Sequence, residues 1–121
     1  MSFYAFLNSD NIIESLIFGI AETEFIDGML PEVYYERFSG KKCCLLRNGN
    51  PQSRSPYKNE ATTDYILDES LGGFRTQQSP YPSWTLNTST CQYDPPVPIP
   101  DTPGAWMWNE EFYAWELFNP Q

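Results

Sequence analysis

The sequence contains no histidine. That removes the commonest general base and the commonest metal ligand, so nucleophilic triads, histidine-based zinc sites and HExxH pairs are excluded within these 121 residues. Cysteine is scarce. Cys43 and Cys44 are adjacent and Cys91 is remote, which is neither a disulfide framework nor the CxxC spacing of a metal site. A buried pair of small apolar residues is the better reading of Cys43-Cys44, and synthesis in a reducing cytoplasm follows as the simpler inference. Long apolar runs are missing too: residues 12–20 are the most apolar stretch, but it contains Glu14 and is far shorter than a membrane span. The N-terminus lacks the basic start and small-residue cleavage site of a signal peptide. No GxxxxGK or GxGxxG loop and no Asp-rich calcium loop occurs. Together these absences predict that the chain is not an enzyme and needs no cofactor and no metal.

Positive charge is confined to one stretch. Residues 1–36 hold seven acids and no base, residues 76–121 hold five acids and no base, and all seven bases lie between them. With a net charge of −9, the chain is expected to bind neither nucleic acid nor an anionic membrane, both of which need clustered Lys and Arg. The basic middle could meet a phosphate or the acidic ends of a neighbouring copy; local pairing and solvation are the simpler expectation.

What the sequence has in abundance is rings and prolines. Phe, Tyr and Trp make up 17% of the residues, and eleven prolines oppose both long helices and a deep continuous sheet. Three segments share one pattern: Tyr65-Ile66-Leu67-Asp68 with Phe74, Trp84-Thr85-Leu86-Asn87 with Tyr93, and Trp106-Met107-Trp108-Asn109 with Trp115. Each reads aromatic, any residue, Leu or Trp, Asp or Asn, then an aromatic nine positions after the first. Alternate strand residues share a face, and Asp or Asn favours a turn, so each unit is predicted to be a β-hairpin that returns its last aromatic beside the first pair. Such cross-strand pairs add only about 0.2–1 kcal/mol each, so three hairpins must pack on a further surface. Between them, residues 94–104 carry five prolines and are expected to be an extended spacer, not a core layer.

The first half reads as an N-terminal hairpin around Asn8-Ser9-Asp10-Asn11, a faint fourth relative of the repeat. A short helical region follows within residues 22–38, with Pro31 in its first turn, an apolar stripe of Leu30, Val33 or Tyr34, and Phe38, and Gly40 as its stop. Residues 42–46 are a plausible strand, with Cys43 or Cys44 facing inward, and residues 48–60 a loop. The fold class expected is therefore mainly β with one short helical region, as successive β-hairpins spaced by proline-rich linkers. Residues 1–60 would hold the N-terminal hairpin, helix and loop, and residues 61–121 the three aromatic hairpins, in a single structural unit overall. Glu110-Glu111 is read as a solvated pair of acids in a turn. The candidate packing residues are Phe3, Tyr65, Phe74, Tyr81, Trp84, Tyr93, Trp106, Trp108 and Trp115. A stacking platform for sugars formed by Tyr81, Trp84, Trp106, Trp108 and Trp115 is the sharper alternative; packing is preferred because the rings recur at hairpin positions that share a face.

The opening Met1-Ser2-Phe3-Tyr4-Ala5-Phe6-Leu7-Asn8-Ser9-Asp10-Asn11-Ile12-Ile13 resembles the start of small structural proteins of tailed phages that infect cyanobacteria and other marine bacteria. So does Pro80-Tyr81-Pro82-Ser83-Trp84-Thr85-Leu86-Asn87, with Cys91, the prolines of residues 95–100 and the ending from Trp106 to Trp115. The closing tryptophan hairpin is also similar to one in tail-fibre assembly chaperones. The resemblance covers about half of the chain and leaves out residues 40–63. It implies a virion or tail-associated role as capsid decoration, neck or tail accessory, with other virion proteins and copies of itself as partners and no small-molecule ligand. It would place the protein in the virion after synthesis in the host cytoplasm. A tail-fibre assembly chaperone and a carbohydrate-binding module are the alternatives.

Overall fold

The computed structural model describes residues 1–118 and is mainly β, with one short helix. The described residues form two compact units: Met1–Gln77 with Thr88–Cys91, and Gln78–Asn87 with the chain from Gln92 onward. The packing boundary thus lies beyond residue 60, and the first aromatic hairpin belongs to the N-terminal unit.

That unit is built on a three-stranded antiparallel sheet in the order β2-β1-β3, with β1 Ser2–Leu7, β2 Ile13–Gly19 and β3 Lys42–Leu45. Strand alternation gives it two buried faces. Ala5, Leu7, Cys44 and neighbouring Leu46 share a core with Ala61, Leu67 and Phe74, while Tyr4, Cys43 and Leu45 pack with Phe6, Ile17 and Tyr35. Both adjacent cysteines are buried, as expected of a pair of small apolar residues, with one on each face. The hairpin β4 Ile66–Asp68 with β5 Gly73–Arg75 supplies Leu67 and Phe74 to the first face.

The helix is shorter than its sequence signal. It runs Pro31–Ser39, begins on the proline and ends on Gly40 at φ 73°, whose N–H donates to the Glu36 carbonyl. The expected apolar stripe does not face inward: Leu30, Val33 and Phe38 are exposed, Phe38 at 70%. Pro31 is buried instead, and Tyr35 makes the inward contact through an edge-on ring 5.1 Å from Tyr4, its hydroxyl accepting from Ile20 N–H at 3.1 Å.

The loop of residues 48–60 is held by side chains. The Glu22 carboxylate is buried and accepts from Ser53 Oγ at 2.6 Å and Arg54 N–H at 3.1 Å; Arg54 donates in turn to the Glu22 carbonyl and to both Glu32 carboxylate oxygens. That guanidinium holds the Glu32 carboxyl below its ordinary range. Three more bases form ion pairs: Lys41 with Glu14, Lys42 with Glu69, and Arg75 with Asp68.

The second unit contains two hairpins, β6 Thr85–Asn87 with β7 Gln92–Asp94, and β8 Trp106–Asn109 with β9 Ala114–Leu117. All three repeat hairpins share one register. The Asx pairs with the fifth residue after it (Asp68 with Gly73, Asn87 with Gln92, Asn109 with Ala114), so every loop has four residues. The fourth loop residue is left-handed each time: Gly72 at φ 71°, Cys91 at 60° and Tyr113 at 49°. Asp68 and Asn109 accept from the N–H three residues on, at 3.1 Å in both cases. Each Asx also meets the side chain seven residues later across the hairpin, as Asp68–Arg75, Asn87–Asp94 and Asn109–Glu116 at 2.7–3.0 Å. The N-terminal turn is different: Asn8 N–H donates to Ile12 O, and the left-handed residue is Asn11, so its loop is one residue shorter.

Candidate interaction surface

In the second unit, the shared register sets Trp108 directly opposite Trp115. Their ring centroids are 5.2 Å apart at 68°, and Trp84 lies 6.0 Å from each. Tyr81 extends the group, 5.3 Å from Trp84. Edge-to-face geometry of this kind favours ring pairs beyond their area burial. The indole N–H groups fix the rings. Trp108 donates to Glu110 Oε1 at 2.8 Å, Trp115 to the Val97 carbonyl at 2.7 Å, and Trp106 to the Thr102 carbonyl at 3.1 Å. Trp84 Nε1 is buried and finds no acceptor among the described residues.

Glu110 is a hub of this cluster, not a solvated acid. Besides Trp108 it takes the Ser83 hydroxyl at 2.7 Å and the Ser83 N–H at 3.1 Å. Those bonds, Ser83 first and Trp108 second, hold its carboxyl below the ordinary glutamate range. The proline stretch also does more than space hairpins, since Val97 and Thr102 present carbonyls to two tryptophans. Pro95, Pro98 and Ile99 join Trp84, Trp115 and Asp94 around an open groove of about 460 Å³. Its walls are mostly apolar, with Asp94 the one charged residue lining it, which suits recognition by contact.

The nine residues singled out from sequence fall into two groups. Phe3, Tyr65 and Phe74 pack on one core of the first unit, where Phe74 is buried and the Phe3 ring lies 4.7 Å from Phe18. Tyr81, Trp84, Trp108 and Trp115 come together in the second unit. Tyr93 is half-buried opposite Leu86, and Trp106 is anchored on Thr102 outside the ring contacts of the cluster. Sequence reading missed Glu110, Ser83 and Asn59. The Asn59 amide donates to the carbonyls of Phe74, Thr90 and Cys91, and so ties the first and second repeats inside the first unit. Its φ of 70° is a backbone cue that Asn tolerates. Burial pushes the Cys43 thiol up to about 12 and Cys44 to about 11, and it raises Cys91 as well.

Among the described residues no group of three or more Cys, Asp or Glu is placed to hold a metal ion, and no helix is long and apolar enough to cross a membrane. No family model, no curated protein and no solved structure matches this chain.

Proposed function

We propose that this chain is a structural protein of a phage virion, acting by protein–protein packing as a capsid decoration, neck or tail accessory. The observation that carries the reading is the apolar surface left open on each unit. In the first, Phe25 and Phe38 are 64% and 70% exposed; in the second, Phe112 and Leu117 are 68% and 58% exposed. Large apolar side chains left in water favour association. The virion assignment is supported by the resemblance of residues 1–13 and 80–87 to phage structural proteins. Mass spectrometry of purified particles tests it: peptides of this chain at stoichiometric yield are expected, and their absence sinks the assignment. Raised yield of folded fibre on co-expression, with no copies in particles, would favour the chaperone reading instead.

One observation favours a second reading, the carbohydrate-binding module. Trp84, Trp115 and Asp94 line one groove, which brings aromatic rings and an acidic residue together as sugar sites do. A glycan array with wild type and Trp84→Ala tests that reading, which fails if no signal depends on Trp84.

A further inference from the structure

The two edges of the β2-β1-β3 sheet are treated differently. Leu46 N–H donates to Phe3 O, so Phe3, Ala5 and Leu7 direct their backbone groups toward β3, and Ser2, Tyr4 and Phe6 toward β2. On β3 the outward residues are then Cys43 and Leu45. Each has one of its two outward groups taken by a side chain: Cys43 N–H donates to Glu36 Oε1 at 2.9 Å, and Leu45 O accepts from Ser55 Oγ at 2.7 Å.

On β2, Tyr4 lies opposite Ile17 and Phe6 opposite Ser15, which leaves Leu16 and Phe18 with their N–H and C=O groups directed outward. Nothing plugs them. The open window is bounded on one side at Ile13, whose N–H and C=O pair with Tyr65 O and Asp64 N–H. On the other side it is bounded at Ile20, which is bonded by Tyr35 and Tyr4 hydroxyls. Between these limits, residues 14–19 contain no proline and no lysine, the usual edge guards, and Phe18 is 56% exposed.

We propose that this edge is an interface between two copies of the chain, joined by antiparallel pairing of β2 with β2 about Ile17. The open pair is self-complementary, so a second copy can use all of it in one register. Only outward residues can bond outward residues, and a two-fold axis at Ile17 sets Leu16 opposite Phe18 of the second copy and Phe18 opposite its Leu16, giving four N–H···O=C bonds. Ile17 is the midpoint of the open residues Leu16 and Phe18, so both are paired before the boundary at Ile13 or Ile20 is reached. The charges are compatible: Glu14 would lie opposite Ile20, not another acid, and it is already paired with Lys41 at 2.7 Å. The two sheets would merge into one of six strands. The proposal deepens the packing reading and rests on it for its biological setting, but its test does not.

Light scattering after size exclusion of the full chain is expected to show a concentration-dependent dimer. Phe18→Pro removes an outward N–H that β1 does not use, so far-UV circular dichroism should be unchanged. Its dimer dissociation constant should rise about thirtyfold, the loss of two of four hydrogen bonds of ordinary net worth. Should F18P fail to fold, a cysteine pair decides. Ile17 faces its own copy at a separation of about 4.5 Å between Cα atoms, inside the disulfide range, whereas Ser15 lies roughly 13 Å from its copy. I17C should therefore cross-link under mild oxidation and S15C should not, against a background of three buried native thiols. A monomer at every concentration, a dimer indifferent to F18P, or equal cross-linking of the two variants overturns the proposal. Monomers in solution with copies present in particles would refute this interface alone; dimers with no copies in particles would refute the virion assignment alone.

Discussion

The three repeat hairpins place one loop position in the left-handed region, and each fills it with a different residue, so glycine exchange should change stability with opposite signs at equivalent sites. Gly72 is the cleanest case. A Cβ built there meets nothing within 4 Å, so Gly72→Ala creates no clash, and its whole effect comes from holding a side-chain-bearing residue at φ 71°. That costs about 1–2 kcal/mol, offset in part by the lower freedom of alanine in the unfolded chain. The net expectation is a loss of about 1 kcal/mol, with Gly72→Asn milder because Asn tolerates this region. Tyr113 is the converse. It holds φ 49° while 57% exposed, so Tyr113→Gly releases the strain with little burial to lose, and it should stabilise the last hairpin by about 0.5 kcal/mol. Cys91 holds φ 60° but is fully buried, so for Cys91→Gly the emptied core site outweighs the relief, a net loss of about 1 kcal/mol.

Urea unfolding reads these changes separately. All four tryptophans lie in the second unit, so indole fluorescence follows Tyr113→Gly, while far-UV circular dichroism and the tyrosine signal follow Gly72→Ala and Cys91→Gly. The midpoints should shift down, up and down for G72A, Y113G and C91G, with slopes unchanged. A neutral G72A, or a destabilised Y113G, would refute the shared-turn reasoning.

Three further outcomes are expected. Glu110 has its folded pKa below the unfolded value, so its contribution is present at neutral pH and lost as pH falls through the folded pKa; tryptophan-monitored unfolding should need less urea at acid pH, and Glu110→Gln should flatten that dependence. Arg54→Ala removes the bonds to Glu22 O and Glu32 together, which should cost about 2–3 kcal/mol and speed trypsin cleavage after Arg47 and Lys58; unchanged cleavage rates would show that the loop is held by other contacts. The buried, raised-pKa thiols of Cys43, Cys44 and Cys91 should resist iodoacetamide at pH 8 in the native protein and react in urea; rapid native labelling of Cys43 or Cys44 would contradict their burial.

The hairpins were legible because everything that forms them is local. An Asx before a four-residue loop bonds the loop backbone, and the same spacing brings the side chain seven residues later across the ladder. None of that depends on the rest of the chain. The fate of each hairpin was not legible, because it depends on distant surfaces. Leu67 and Phe74 are sealed against Leu7, Ile13 and Leu46, whereas the equivalent Leu86 and Tyr93 are only half-buried. The helix shows the limit of periodicity. Leu30, Val33 and Phe38 form an apolar stripe, but nine residues make too short a helix for its stripe to dictate docking. The buried proline and one tyrosine ring with its hydroxyl against Ile20 set the orientation instead. Glu110 shows the corresponding limit for charge. An acid in a turn is normally solvated, and only the fold reveals that Ser83 and Trp108 converge on it.

The sheet edges separate the two kinds of information most sharply. Glu36 and Ser55 read as ordinary surface residues, and no sequence pattern marks them as plugs for β3. Leu16-Ile17-Phe18 reads as an ordinary buried strand, and nothing in it says that no plug follows. Pattern fixes which face a side chain takes; register and neighbours fix which backbone groups remain for a partner. A protein whose side-chain chemistry looks plain can therefore carry specificity in its main-chain groups. For this chain the open hydrogen-bonding row at Leu16 and Phe18 defines a register, whereas apolar contact at Phe38 or Phe112 defines only a tendency to be covered.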